Sequence, residues 1–295
     1  MYPKFSVKNS LWLVVAAFAF SCMTVVTRYC GKSYAVHDLM FAKYFWVSAA
    51  VALLMLLRRT SFFPKNFLLL FCRCVLGVVT VAINTYLILH LPAAVAQTFN
   101  YTAPFWIAIY LILTDAISVN HTKVLAVSLI VGFTGICLTL DPSFVSLSVV
   151  FFFLCIFYGL SSAGVSILLR MLGSREESSL RTTFYFSLSS MVFGWIFTLT
   201  DSASNSLEVI FEPFIVLLVC FTLLYQITKT FAWQFGNTAV NSIFLFLGAP
   251  FVLILGFYFL EEVPSQFQLL GMIFILASAS VCYGVMRTAP SGLNF

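Results

Sequence analysis

Charge is what this sequence is short of. Asp, Glu, Lys and Arg make up 8% of its 295 residues, against about 25% in a soluble globular domain. Acids are scarcer still, with ten Asp and Glu beside fifteen Lys and Arg. The three histidines, His37, His90 and His121, are scattered, and no clustered His, Asp and Glu set marks an enzyme active site. Among eight cysteines the close pair is Cys72-x-Cys74. It has no second pair to complete a zinc set, so neither a metal nor a cofactor is expected. Gly31-Lys32-Ser33 lacks the upstream glycine of a phosphate-binding loop. The net charge of +5 reflects lysines and arginines in loops and does not point to a nucleic-acid partner.

What the chain has instead is apolar length. Hydrophobic residues reach 62%, and mean hydropathy is +1.05. The runs are continuous rather than alternating, which excludes a β-barrel and gives an all-α integral membrane protein. Ten spans can be placed, each long enough for a hydrocarbon core of about 30 Å. They run about Leu11–Tyr29, Leu39–Leu57, Phe67–Leu89, Ala93–Leu113 and Val124–Leu140. The second five run about Ser146–Leu169, Leu180–Thr200, Pro213–Phe235, Ala239–Leu260 and Phe267–Met286. Loops are short, so no soluble domain is inserted. Basic residues collect on one side if the N-terminus is inside, from Lys4 and Lys8 through Arg58, Arg59, Lys65 and Lys123 to Arg175, Arg181 and Arg287. That asymmetry predicts a multi-pass protein with both termini cytoplasmic.

Lys229 breaks the eighth span. A lysine at the centre of a span costs about 2.5–3.5 kcal/mol on insertion scales, so it faces protein or a wet cavity, or snorkels to the headgroups. Gln226, Lys229, Thr230 and Trp233 follow the i, i+3, i+4, i+7 spacing of one helix face. The third span carries a comparable face of Arg73, Gly77, Thr80 and Asn84. Arg73 lies within two turns of the span's inner end, so a snorkelling anchor is its simpler reading.

The halves also match each other. Arg28-Tyr-Cys-Gly31 parallels Arg170-Met-Leu-Gly173, and Ala103-Pro-Phe105 parallels Ala249-Pro-Phe251, with one four-residue gap between the anchors. An acid then closes each helix, Asp115 and Glu261. At the second spacing Gln226 pairs with Thr80 and Thr230 with Asn84. Five spans per copy is odd, so the second copy lies inverted in the bilayer, a transporter signature. The expected division is 1–141 for the first five-helix repeat, 142–287 for the second and 288–295 for a tail.

At these motifs the chain resembles the EamA-type transporters of the drug/metabolite transporter superfamily. The resemblance covers nearly the whole chain. It rests on Leu91-Pro-Ala-Ala-Val-Ala-Gln97 leading into Ala103-Pro-Phe105, on Gly248-Ala-Pro250 followed by Phe259-Leu-Glu261, and on Arg73 with Gly77. It implies two inverted five-helix repeats around a central cavity, with the fifth and tenth helices peripheral. Lys43 in Phe41-Ala-Lys-Tyr-Phe45 stands where many relatives carry arginine. The segment Ser21–Phe45 is similar, more weakly, to S-adenosylmethionine transporters of obligate intracellular bacteria.

The expected substrate site combines Lys229, Gln226, Trp233 and Thr230 with Asn84, Thr80, Gln97, Asn100 and Tyr101. Trp46, Tyr158, Tyr185 and Asn241 are further candidates. Pro104 and Pro250 each remove one helix hydrogen bond and free a carbonyl near Asn100 and near Phe246. Lys229 would meet a carboxylate or phosphate, and the aromatic rings would stack on the rest. The expectation is a secondary transporter of a small zwitterionic or anionic metabolite, an amino acid or related compound, in a bacterial inner membrane. Its partners are that solute and the bilayer, with the chain a monomer or homodimer. An S-adenosylmethionine-type exchanger and a membrane enzyme acting on lipid-linked substrates are the alternatives. No acid or histidine is expected deep in a span, which favours a facilitator or exchanger over a proton symporter. Ser265-x-x-Gln268 reads as a capping box opening the tenth span.

Overall fold

The structure, a computed structural model, describes residues 6–31, 33–91, 99–114, 119–139, 149–200, 209–260 and 263–288. Its helices in chain order are α1 Val7–Ser10, α2 Trp12–Cys30, α3 Val36–Leu57, α4 Phe67–His90, α5 Ala103–Leu113 and α6 Val119–Thr139. Then come α7 Val149–Ser174, α8 Ser179–Thr200, α9 Pro213–Phe235, α10 Thr238–Phe244, α11 Gly248–Leu260 and α12 Gln266–Thr288. Among the described residues, nine helical segments are long and apolar enough to cross a membrane, α1 joining α2 and α10 joining α11. A shorter apolar segment, Asn100–Leu113, accompanies them. The protein is an all-α, multi-pass membrane protein. Helices satisfy their own backbone and can therefore present this much apolar surface to lipid.

The helix ends follow local chemistry. The Ser265 N–H donates to Gln268 Oε1 at 2.8 Å, and the Gln268 N–H returns to Ser265 Oγ at 3.3 Å, so the expected capping box opens α12. Helices α3 and α7 both end in a left-handed residue, Arg59 (φ 52°) and Glu176 (φ 57°). The Thr60 N–H then reaches back to Met55 O, and the Glu177 N–H to Leu172 O, the bond that satisfies an orphaned terminal carbonyl.

Pro104 and Pro250 each stand where a 3-10 turn passes into an α-helix. A 3-10 turn, Phe99–Thr102, precedes α5, and Pro104 lies in the first turn of α5, where its missing N–H costs nothing. Pro250 likewise lies in the first turn of α11, after the 3-10 turn Leu245–Leu247. Residues 92–98, the expected first part of the fourth span, fall outside the described residues.

Packing places α2 against α9 and α11, α7 against α4 and α5, α3 against α8, and α6 against α12. The last pair approaches backbone to backbone. A Cβ on Gly135 would stand 2.7 Å from Gly271 O, and one on Gly271 would stand 2.5 Å from Gly135 O. Small residues let helices close in lipid, where dispersion and not water expulsion holds them.

One end of the bundle is fastened by polar side chains. Glu177, fully buried, accepts from the Lys65 N–H at 2.8 Å and the Asn66 N–H at 3.1 Å, and pairs with Arg181. Arg181 Nε donates to Ser61 O at 2.8 Å, and Tyr185 Oη donates to Phe62 O at 3.0 Å. Gln234 bonds Ser179 and Thr182. The Ser6 N–H and Asn9 Nδ2 both donate to Phe235 O. The starts of α2, α4 and α8 therefore meet the end of α9. At the opposite end Arg28 donates to Ile88 O and Leu91 O, and Trp46 Nε1 donates to Ile210 O at 3.0 Å.

Glu177→Ala strands a buried guanidinium and two backbone N–H groups together. We expect it to destabilise the protein by about 3–5 kcal/mol, read as a fall in the melting midpoint of detergent-purified protein, with Glu177→Gln retaining part of the loss.

Candidate functional site

A small chamber lies inside the bundle between α2, α3, α4, α7, α8 and α9. Arg73, Gly77, Thr80, Val81 and Asn84 line it from α4, and Tyr225, Gln226 and Lys229 from α9. Phe20 and Met23 close it from α2, Tyr44 from α3 and Phe186 from α8. Tyr158, Ser162 and Val165 reach it from α7, and Asn100 from the 3-10 turn before α5. Its volume is about 30 Å³, enough for one or two waters. A second cavity of about 20 Å³ adjoins it, sharing Phe20, Asn100, Tyr225 and Lys229 and adding Tyr101 and Gly248.

Two cations enter the chamber. Lys229 is 9% exposed, and its Nζ donates to Tyr225 Oη at 2.9 Å, one turn back on the same helix. Arg73 is 2% exposed. Its guanidinium lies over the Phe186 ring, 4.3 Å from the centroid, a favourable cation–π placement. Its Nε and Nη1 have no hydrogen-bond partner. The snorkelling reading of Arg73 does not hold, because the side chain points into the bundle. Gly77 makes the room: a Cβ there would stand 2.0 Å from Arg73 Nη1 and 2.9 Å from the Phe186 ring. Tyr44 packs edge-on against Phe186 at 5.5 Å and holds that ring from behind.

The four described acids all lie elsewhere. Asp38, in the first turn of α3, neighbours His37; Glu176 and Glu177 follow α7; Glu212 caps α9. The other six acids fall outside the described residues. Lys43 is a third buried cation, 1% exposed, with Nζ 5.2 Å from the Tyr44 ring, but it does not line the chamber.

The expected site residues divide into two groups. Lys229, Gln226, Thr80, Asn84, Asn100 and Tyr158 meet at the chamber, and Tyr101 lines the adjoining cavity. Tyr158 Oη donates to Asn84 Oδ1 at 2.7 Å, which ties α7 to α4. Asn100 Oδ1 and Tyr101 Oη have no partner. The structure does not bring Thr230, Trp233, Trp46, Tyr185 or Asn241 to the chamber. Thr230 accepts from Thr183 Oγ1 at 3.3 Å, and Trp233 is packed in the apolar core. Asn241 donates to Ala232 O at 2.7 Å near the end of α9. Trp46, half-exposed, holds Ile210, and Tyr185 holds Phe62. Gln97 lies outside the described residues.

Tyr225, Phe20, Tyr44 and Phe186 were missed from the sequence. A tyrosine one turn before a buried lysine was the available signal for Tyr225. Nothing separates the other three from the 34 phenylalanines and 12 tyrosines of the chain.

The fold and the chamber are those of a polytopic membrane protein with a polar interior. No family model matches the chain. A curated relative, the pseudopaline exporter CntI of Pseudomonas aeruginosa, is 22% identical over 284 residues, 94% of this chain and 95% of the relative. The same exporter from a second strain matches equally. A solved crystal structure shares the fold with a TM-score of 0.75 at 12% identity, covering 96% of this chain and 98% of that one.

Gly77→Ala forces the Phe186 ring or the helix to move, because the new methyl overlaps both ring and guanidinium. We expect a loss of about 1–3 kcal/mol from overpacking, measured as a lower unfolding midpoint, while Gly284→Ala, with open space around it inside α12, leaves that midpoint unchanged or raises it slightly.

Proposed function

We propose that this chain is a secondary transporter that moves a small zwitterionic or anionic metabolite, and not an enzyme. The observation that carries the reading is the chamber itself: a buried lysine with amides, hydroxyls and aromatic rings from six helices around it. Intramembrane cations facing a bundle interior mark solute pathways far more often than structural filler. End-to-end similarity to an exporter of a metabolite supports the transporter class and favours outward movement.

The helix packing supports ten spans in two inverted repeats, residues 1–141 and 142–287, of the EamA type. Exchange α2 for α7, α3 for α8, α4 for α9, α5 for α11 and α6 for α12. The α2–α9 contact then becomes α7–α4, and α2–α11 becomes α7–α5. The α3–α8 and α6–α12 contacts map onto themselves. A site near the midplane between such halves suits alternating access. Both termini then lie on the cytoplasmic side of a bacterial inner membrane, at the end held by Glu177. At about 30 Å³ the chamber is well below the about 300–1,000 Å³ of a ligand-filled pocket. That volume fits the empty carrier between its two open states.

Lys229→Ala is expected to reduce solute counterflow in proteoliposomes at least tenfold while the melting midpoint stays within a few degrees of wild type. Full transport by a folded Lys229→Ala protein would remove the lysine from the mechanism.

A further inference from the structure

Arg73 and Lys229 stand at the same depth. The starts of α4 and α8 share one end of the bundle with the end of α9, through Glu177, Ser179 and Gln234. Arg73 is six residues after the first residue of α4, and Lys229 is six residues before the last residue of α9. At 1.5 Å per residue each lies about 9 Å from that common end. They reach the chamber from two different helices. Helices α4 and α9 both pack on α2, α3, α7 and α8, which place them around the same chamber.

Each cation is also held on its own wall. Phe186 and Tyr44 fix the guanidinium, and Tyr225 fixes the ammonium. The two cannot easily collapse onto one point. No described acid lines the chamber, so two cationic side chains face one small volume without a counter-charge among the described residues. Leaving both desolvated and unneutralised is costly.

Resting on the transporter reading, we propose that the solute supplies the missing charge as two separate acidic groups, one for the Arg73 guanidinium and one for the Lys229 ammonium. The recognised class is an organic dianion: two carboxylates, or a carboxylate and an equivalent acid, joined by a short spacer. Asn84, Asn100 and Gln226 are placed to bond polar atoms of that spacer. Phe20, Met23 and Val81 accept its apolar part. The guanidinium still has donors on two nitrogens without a partner, Nε and Nη1, to give to an acid.

The test compares succinate with its half-amide, succinamate, and with inorganic phosphate, at equal ionic strength. The full-length wild-type protein, Arg73→Gln and Lys229→Gln are melted in detergent with each probe. Succinate should raise the wild-type midpoint by about 3 °C or more beyond succinamate, as expected of a ligand well above its dissociation constant. That difference should vanish in each glutamine variant. If Arg73→Gln does not fold, Arg73→Lys should keep the preference for the diacid with at least tenfold weaker binding.

Equal shifts from succinate and succinamate overturn the proposal, since one acid then suffices. So does a shift from phosphate alone, a preference that survives in both variants, or no shift with any probe. Counterflow of the same probes in liposomes separates the two levels. A diacid-specific shift without protein-dependent exchange of any acidic probe counts against the transporter reading and leaves the paired site standing. Exchange of monoacids alone does the reverse.

Discussion

The constraint on which the interior depends is electrostatic. Two cationic side chains are taken out of water inside a bundle whose described acids all lie away from them. A charge in that setting keeps its place only if other groups carry part of the burden. Here those groups are rings and a hydroxyl. Phe186 presents its negative face to Arg73, Tyr44 backs Phe186, and Tyr225 offers its oxygen to Lys229. None of these carries a formal charge, so the chamber remains positive overall.

Backbone geometry serves the same end. The guanidinium fits because α4 has glycine one turn beyond Arg73, and a methyl at that point would collide with both the cation and its aromatic platform. Tyr158 and Asn84 bind α7 to α4 at the level of the chamber, where hydrogen bonds between helices do what water expulsion cannot do in lipid. The polar fastening at Glu177 lies well outside this region, so its contribution is to the position of the walls and not to their chemistry.

Much of this was legible in the residues, and the misses have physical causes. Apolar runs of the right length gave the spans, because bilayer thickness fixes them. The i, i+4, i+7, i+11 face of Arg73, Gly77, Thr80 and Asn84 was read correctly as one surface, and all four residues reach the chamber. The face on α9 was read about 40° too far round, at 3.6 residues per turn. A stripe of polar residues has a centre that composition alone does not fix, and Thr230 and Trp233 turned out to pack against neighbouring helices. Pro104 and Pro250 were read as removing one helix hydrogen bond each, and both follow a 3-10 turn. A proline at a helix start and one at a kink leave the same mark in sequence, since both remove a single donor. Asn241 illustrates the same limit, for a buried amide serves a helix end as readily as a solute.

The size of the chamber has a consequence for the membrane itself. An interior that shrinks to about 30 Å³ around Phe20, Phe186 and Tyr225 holds no continuous file of water. Little solvent can be held at this level of the bundle. Fixed positive charge in that constriction repels stray protons and metal cations at the moment they would be most damaging. At this level a hydrated ion finds neither the room nor the favourable charge to pass.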